Sequence, residues 1–280
     1  MIVVGVDGSV AARAAAVWAA DDAVRMAQPL LVVHVLDREP YLISRSLDPL
    51  EPDLPVLTAQ RMVKEAVELV VERQPGVEVT TAVVEGAPAR TLRDQAAGAA
   101  EIVLGSRGAG ALAGVMVGSV STHVAGHARC PVVVVRPEQD SQSGEVVVGL
   151  DDTPASDPAL EYAFRQAELR DTTLRALHAW EAPMHLYAPQ VAYDPDDITS
   201  ARTEAATARL DRFRLAHPRV KVVEDVRNAN PAEALTDASE SAVMVVVGSH
   251  GRGGLRSALL GSVGHGVLHR AHCAVAVVRA

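Results

Sequence analysis

The sequence predicts an α/β protein made of two copies of one domain, each with a parallel sheet covered by helices. Short apolar segments alternate with longer helical segments along the chain, and this alternation produces parallel strands joined by right-handed crossovers. Hydrophobic residues make up 49% of the chain but aromatic residues only 3%, so Ala, Val and Leu must form the cores. Such a composition is typical of a parallel sheet buried on both faces.

A glycine-rich signature occurs twice. Gly105-Ser106-Arg107-Gly108 is followed, after nine residues, by Gly118-Ser119-Val120. The second copy, Gly248-Ser249-His250-Gly251 and then Gly261-Ser262-Val263, keeps the same spacing 143 residues later. The 280-residue length suits two domains of ordinary size. The repeat predicts domains at 1–137 and 146–280, joined by the polar linker 138–145.

Five strands are expected in each copy, because each apolar run is short and bounded by turn residues. The first copy has them at 2–7, 30–36, 77–84, 102–104 and 132–135, and the second at 146–151, 174–180, 220–226, 243–247 and 275–278.

Four helices are expected between the strands of each copy. Proline is favoured at the first helical position and serine at the N-terminal cap. The first copy has helices at 11–27 and 55–74 and from Pro88 and Ser119, and the second has them at 155–170 and 198–217 and from Pro231 and Ser262.

Both copies carry polar and glycine residues where ligands bind in a parallel sheet, beyond the carboxyl ends of the strands. Asp7 and Asp151 follow the first strands, and the glycine loops follow the fourth. Glycine lets a backbone approach a ligand closely, and free N–H groups at a helix start bind phosphate. The loops therefore predict a phosphate site in each copy, to which the Ser106 and Ser119 hydroxyls add donors.

Structural alternatives remain open for these residues. The glycine loops could be tight turns alone. The aspartates could be helix caps, although Ser9 and Thr153 also occupy capping positions. His34 and His178 could bind a ligand or could be core histidines that donate to the backbone.

Several classes of function are disfavoured. The net charge of −9 argues against binding to nucleic acid or to an anionic membrane surface, and no apolar run reaches spanning length. No Gly-Lys-Ser/Thr loop, serine-nucleophile elbow or metal-ligand spacing is present. Cys130 and Cys273 are expected to be buried in the two cores, and a cytoplasmic location is expected.

With these motifs the chain resembles the universal stress protein family, in its tandem two-domain form. The ATP-binding subgroup of that family carries Gly-x2-Gly-x9-Gly-Ser/Thr, which both copies match. The resemblance implies strand order 3-2-1-4-5 in each half, the adenine nucleotide alpha-hydrolase-like fold. It places adenine near Asp7 and the Val35 backbone, and near Asp151 and Ala179 in the second half. Phosphates would contact Gly105, Gly108, Gly118, Ser119 and Val120 in the first half, and Gly248, Gly251, Gly261, Ser262 and Val263 in the second.

The expected function is therefore that of an ATP-binding regulatory module in a stress response, with Mg²⁺ bridging the phosphates. A protein partner that the sequence does not identify and a homodimer are expected, but no nucleic acid or membrane. The alternatives are a slow ATPase or phosphate-transferring enzyme, and an interaction protein with vestigial sites. One departure from the pattern concerns the second half, where Asp152 takes the place of Gly8.

Overall fold

The computed structural model describes residues 1–38, 53–108, 117–137, 144–151, 153–181, 195–249 and 260–279. The chain divides into two compact units, Met1–Glu138 and Gln139–Ala280. Among the described residues, no helix combines the length and the apolar character needed to cross a membrane.

In the first unit, strands and helices alternate as the sequence predicts. The strands are β1 (Ile2–Gly5), β2 (Leu30–Leu36), β3 (Val79–Glu85), β4 (Glu101–Gly105) and β5 (Val132–Val135). The helices are α1 (Val10–Arg25), α2 (Leu54–Arg73), α3 (Pro88–Gln95) and α4 (Ser119–His127).

The second unit repeats this order. Its strands are β6 (Glu145–Gly149), β7 (Leu174–Trp180), β8 (Val222–Asn228), β9 (Ala242–Gly248) and β10 (Ala274–Val278). Its helices are α5 (Asp157–Leu169), α6 (Pro195–Ala216), α7 (Pro231–Ala238) and α8 (Ser262–Arg270), and a short 3₁₀ turn at Pro154–Ser156 precedes α5.

Each unit has its own parallel sheet. In the first, β1 pairs with β2 and β4, β2 also pairs with β3, and β4 also pairs with β5. In the second, β6 pairs with β7 and β9, β7 with β8, and β9 with β10. Both units therefore have the strand order 3-2-1-4-5. In the first unit α1 packs beside α2, and α3 beside α4, which covers the two faces of the sheet.

Local chemistry sets the helix starts. Ser9 caps α1, because its Oγ accepts a hydrogen bond from the Ala12 N–H at 3.1 Å. Proline occupies the start of α3 and of α7, as predicted. Both third strands begin two residues later than predicted. The reason is a turn before each, in which Val77 N–H bonds the Gln74 carbonyl and Val220 N–H bonds the His217 carbonyl.

Small and branched aliphatic side chains form the two cores, as the composition predicts. Ile2, Leu30 and Ile102 are fully buried in the first unit, as are Leu160 and Leu174 in the second. The prediction of buried cysteines is confirmed, since Cys130 and Cys273 are both buried free thiols.

Candidate functional site

The loops that follow β1 and β4 meet at the carboxyl edge of the first sheet. The Ser9 hydroxyl donates to the Arg107 carbonyl oxygen at 3.2 Å. A methyl group built on Gly108 would lie 2.6 Å from Asp7 Oδ2. Since β1 is the strand from which the chain winds in both directions, this crevice is the switch point at which open α/β sheets bind ligands.

Asp7 is positioned by the turn that leads into α1. Its Oδ1 accepts the Ser9 N–H at 3.0 Å, while Ser9 itself caps the helix. The alternative that Asp7 is the helix cap is therefore wrong. Its second carboxylate oxygen, Oδ2, lies on the side of Gly108.

Main-chain bonds hold the two ends of the glycine loop together. The Ser106 N–H donates to the Val135 carbonyl at 2.8 Å, and the Gly118 N–H donates to the Ser106 carbonyl at 2.7 Å. The Ser121 hydroxyl donates to the Gly105 carbonyl at 2.7 Å. These bonds bring the N-terminus of α4 against the carboxyl end of β4.

Gly118 is the N-terminal cap of α4, and it supplies no side-chain cap. The first N–H groups of a helix have no partner inside the helix. Here they belong to Ser119, Val120 and Ser121, the first three residues of α4. N–H groups of this kind, together with the positive end of the helix dipole, favour an anion.

Ser106 adds a buried hydroxyl to this region. Its side chain is 1% exposed, and its Oγ has no hydrogen-bond partner among the residues that the structure describes. A buried hydroxyl without a partner is unfavourable by about 1–3 kcal/mol.

The glycines of the loop differ in their surroundings. A methyl group on Gly105 would lie 2.6 Å from the Ala11 carbonyl carbon, so Gly105 allows α1 to pack against β4. A methyl group on Gly118 would lie 3.7 Å from the Ser106 carbonyl oxygen and 3.8 Å from the Gly108 nitrogen, which is ordinary contact. Space is therefore available between Gly118 and Gly108.

Val35 presents its backbone to the crevice. In a parallel strand, backbone groups alternate between the two neighbouring strands. The Val33 carbonyl faces β1 and accepts the Val6 N–H at 2.9 Å, and the Leu36 carbonyl faces β3 and accepts the Gly86 N–H at 3.1 Å. Val35 therefore faces the β1 side, beyond Gly5, the last residue of β1 in register with β2.

The second unit repeats this backbone frame. The Ser249 N–H donates to the Val278 carbonyl at 2.8 Å, and the Gly261 N–H donates to the Ser249 carbonyl at 2.9 Å. Ser262 and Val263 open α8 after Gly261, its N-terminal cap. Ala179 faces the β6 side, because it lies two residues after Leu177, whose carbonyl accepts the Leu150 N–H at 2.9 Å. Gly251 lies outside the described residues.

The histidines at the ends of the second strands bond the backbone, as one of the two alternatives predicts; His178 is buried, and His34 is half-buried. His34 Nδ1 donates to the Val6 carbonyl at 2.8 Å. His178 bonds the equivalent Leu150 backbone. Burial, followed by the nearby Arg202 charge, lowers the pKa of His178, so its ring is neutral at neutral pH.

Two arginines of α6 that no sequence motif marks reach the second crevice. Arg209 Nη1 donates to the Asp151 carbonyl at 2.5 Å, and its Nη2 bonds the Thr153 carbonyl. Arg202 stacks over Trp180 with 5.0 Å between its Cζ and the ring centroid. An alignment of the two copies could have drawn attention to these arginines, because the corresponding positions of α2 hold alanine.

Asp151 is held differently from Asp7. Its Oδ1 accepts both the Thr153 N–H and the Thr153 hydroxyl at 2.9 Å, and lies 3.9 Å from Arg209 Nη1. Thr153 occupies the N-terminal cap of the 3₁₀ turn at Pro154–Ser156, as predicted, but its hydroxyl donates to Asp151 and makes no cap bond. Within the described ranges, no group of three or more His, Cys, Asp or Glu side chains is placed to hold a metal ion.

Fold and site together define a tandem α/β protein in which a helix start without a side-chain cap follows the fourth strand of each sheet. The sequence matches the universal stress protein family over residues 1–136 and 143–279. It is 38% identical to a universal stress protein of Mycobacterium tuberculosis over 293 aligned residues, covering 99% of this chain and 96% of the relative. A second relative, from Mycolicibacterium smegmatis, is 34% identical at the same coverage of both chains.

A solved universal stress protein from Archaeoglobus fulgidus has the same fold, with a TM-score of 0.70 at 19% identity. The match covers 99% of this chain and 96% of that one. The chain belongs to the universal stress protein family.

Proposed function

We propose that this protein binds ATP at the switch point of each half and acts as a nucleotide-dependent regulatory module in a stress response. The phosphates would lie on the N-terminus of α4 in the first half and on that of α8 in the second. Adenine would lie at the open backbone of Val35 and of Ala179, near Asp7 and Asp151.

The observation that carries the proposal is the buried hydroxyl of Ser106, which has no partner within the described part of the chain, while the carbonyl of the same residue accepts the Gly118 N–H at the uncapped start of α4. The hydroxyl is 1% exposed, and the neighbouring gap between Gly118 and Gly108 would be reduced by a single methyl group. A phosphate group suits this position, because its oxygens accept hydrogen bonds from hydroxyl and main-chain N–H donors together. The residues present therefore fit the triphosphate end of a nucleotide.

The backbone of Val35 supports adenine as the base. It offers one donor and one acceptor beyond the end of β1, and Asp7 offers acceptor oxygens nearby. The 6-amino group of adenine is a donor, whereas guanine carries an acceptor oxygen at the same position. We therefore expect ATP to bind more tightly than GTP.

A binding role is favoured over catalysis. Glycine caps both α4 and α8, and serine is the first residue of each, so the donors they offer are main-chain N–H and hydroxyl groups. These groups hold phosphate without taking a proton from water. Mg²⁺ would enter with the nucleotide and neutralise part of the phosphate charge.

Cellular setting and partners belong to the same proposal. The buried free thiols of Cys130 and Cys273 suit a reducing compartment, which supports a cytoplasmic location. Regulation further implies a protein partner that distinguishes the nucleotide-bound from the free form. A homodimer, testable by light scattering, is the simplest assembly for such a module.

The test is a direct search for bound nucleotide. The protein is purified without nucleotide, denatured, and its extract analysed by chromatography, and ATP and GTP are then titrated into nucleotide-free protein by calorimetry. Phosphate release is followed with and without Mg²⁺. ATP binding without turnover supports the proposal, and turnover supports the enzyme alternative. Equal ATP and GTP affinities would contradict the adenine assignment, and absence of binding would refute the proposal as a whole.

A further inference from the structure

The nucleoside ends of the two crevices differ in the helix that packs against them. Helices α2 and α6 end with the same hydrogen bond, which the Gln74 N–H makes to the Val70 carbonyl and the His217 N–H makes to the Phe213 carbonyl. Both residues of the second bond lie 143 positions after those of the first, so the two helices align with that separation. With this separation, Arg202 and Arg209 of α6 occupy the positions of Ala59 and Ala66 in α2. Both alanines are buried.

Arg209 fastens α6 to the loop after β6. Its guanidinium bonds two main-chain carbonyls, those of Asp151 and Thr153. It also forms an ion pair with Asp157 at 2.5 Å, and its side chain is only 15% exposed. These four residues, Arg209, Asp151, Thr153 and Asp157, form a contact set that we name the Arg209 clamp.

The clamp belongs to the second half alone. Asp7 and Ser9 are 144 residues before Asp151 and Thr153, so the counterpart of Asp157 is Arg13. Both members of the Arg209–Asp157 pair are thus absent from the first half, and no single substitution there would create it. Instead, Met62 of α2 packs against Gly8, with its Cε 3.2 Å from the position of a methyl group on that glycine.

Electrostatics also separates the two crevices. Burial raises the pKa of Asp157, but hydrogen bonds from Arg212 and Arg209 outweigh this and hold it below its usual range. Asp157 therefore remains ionised, and the clamp is an ion pair at neutral pH. Asp151 Oδ1, in turn, accepts two Thr153 donors and lies 3.9 Å from Arg209 Nη1, whereas Asp7 Oδ1 accepts the Ser9 N–H.

Arg202 adds a second guanidinium beside the Ala179 backbone. Its Nη1 lies 3.4 Å from His178 Nε2, and its Cζ lies over the Trp180 ring. A purine that entered this space would have to displace the Arg202 guanidinium from the Trp180 ring. Any movement of the loop to admit it would break the bonds of the largely buried Arg209 guanidinium to the two main-chain carbonyls of the clamp. Leaving a buried charged group without its partners opposes binding unless the ligand replaces them.

We propose that the two halves are unequal nucleotide sites, the first binding ATP at least tenfold more tightly than the second because the Arg209 clamp fixes the loop after β6 and engages Asp151. This inference rests on the proposed function, since it concerns the affinity of the same two sites. Arg209 acts here as a specificity-determining residue of the second half.

The test titrates ATP into the full chain by calorimetry and compares matched arginine variants. The wild-type protein should bind ATP in two separated steps. Arg209→Ala, which installs the residue of the first half, should bring the second affinity to within about threefold of the first. Arg212→Ala is the control, because Arg212 pairs with the same Asp157 but is 57% exposed and makes no bond to the loop. It should leave both affinities as in the wild type.

Folding of the variants is checked by thermal unfolding, and Arg209→Met repeats the test while preserving the aliphatic stem. A Gly118→Ala background, in which the first site is weakened, identifies the half that gains affinity. Two equal tight sites in the wild type would overturn the inference and leave the proposed function intact. Folded Arg209→Ala and Arg209→Met proteins with an unchanged second affinity would also overturn it. No ATP binding by any variant would overturn the proposed function and this inference with it.

Discussion

Replacing Gly118 by alanine tests the phosphate position with little disturbance of the fold. The backbone angles of Gly118, φ −73° and ψ 158°, are open to any residue. The new methyl group would meet its nearest neighbours at 3.7–3.9 Å, within ordinary contact distance. Alanine is a poorer cap than glycine by about 0.5–1 kcal/mol. Alanine also lowers the conformational entropy of the unfolded chain, which stabilises the folded state by about 0.4–1 kcal/mol. The free energy of unfolding should therefore stay nearly constant.

ATP affinity should respond far more strongly than stability. The methyl group would enter the gap beside the Gly108 nitrogen, where the phosphate would lie. Loss of one hydrogen bond to a charged group costs about 1.5–3 kcal/mol. Since each 1.4 kcal/mol is a factor of ten, the dissociation constant for the first site should rise roughly 10- to 150-fold.

Calorimetry with ATP measures this change, and thermal unfolding checks the fold. Gly76→Ala is the matched control, because it makes the same substitution where a methyl group would have no atom within 4 Å. It lies between α2 and β3, at the opposite end of the strands. A Gly118→Ala protein that is folded and binds ATP as tightly as the Gly76→Ala control would refute the reasoning.

Three further outcomes are expected. Gly105→Ala should destabilise the protein by about 1–3 kcal/mol, because its methyl group would lie 2.6 Å from the Ala11 backbone; an unchanged melting temperature by circular dichroism would contradict this. Burial raises the pKa of Cys130 to about 11, so a disulfide reagent at pH 8 should label this thiol only after unfolding, and rapid labelling of folded protein would count against the burial. A hydrogen bond from Arg227, with a weaker one from Arg175, holds the pKa of Asp225 below its ordinary value of 3.8. That group stabilises the fold above the ordinary value and stops doing so as the pH falls through the lowered one. The stability difference between the wild type and Asp225→Asn should therefore shrink from pH 6 to pH 2, and a constant difference would exclude the ionic contribution.

The strands and the fold class were predictable because each strand is a short apolar run that can be recognised without knowledge of its tertiary contacts. The Val- and Leu-rich runs at Leu30–Leu36 and Val132–Val135 have the bounds that the structure gives them. The starts of α4 and α8 at Ser119 and Ser262 were also predictable, since glycine precedes serine at both. The starts of the third strands were not, because each depends on a turn whose hydrogen bond no periodicity reveals.

The candidate site was predictable only in part, since its parts come together through tertiary packing. The strand order implied by the resemblance placed Asp7 beside the glycine loop, but the solitary Ser106 hydroxyl depends on the packing around β4. The positions of Arg202 and Arg209 were missed for another reason. Arginine on an amphipathic helix is normally solvated, and the sequence does not indicate that this face of α6 reaches the ends of β6 and β7.

The most direct test of the central claim is an ATP titration followed by the backbone amide resonances of the protein. ATP in the first crevice should shift the signals of Val35, Gly108, Gly118, Ser119 and Val120 at low concentration. The corresponding signals of Ala179, Gly261, Ser262 and Val263 should move only at a concentration at least tenfold higher. Shifts confined to other surfaces, or no shifts at millimolar ATP, would contradict the account.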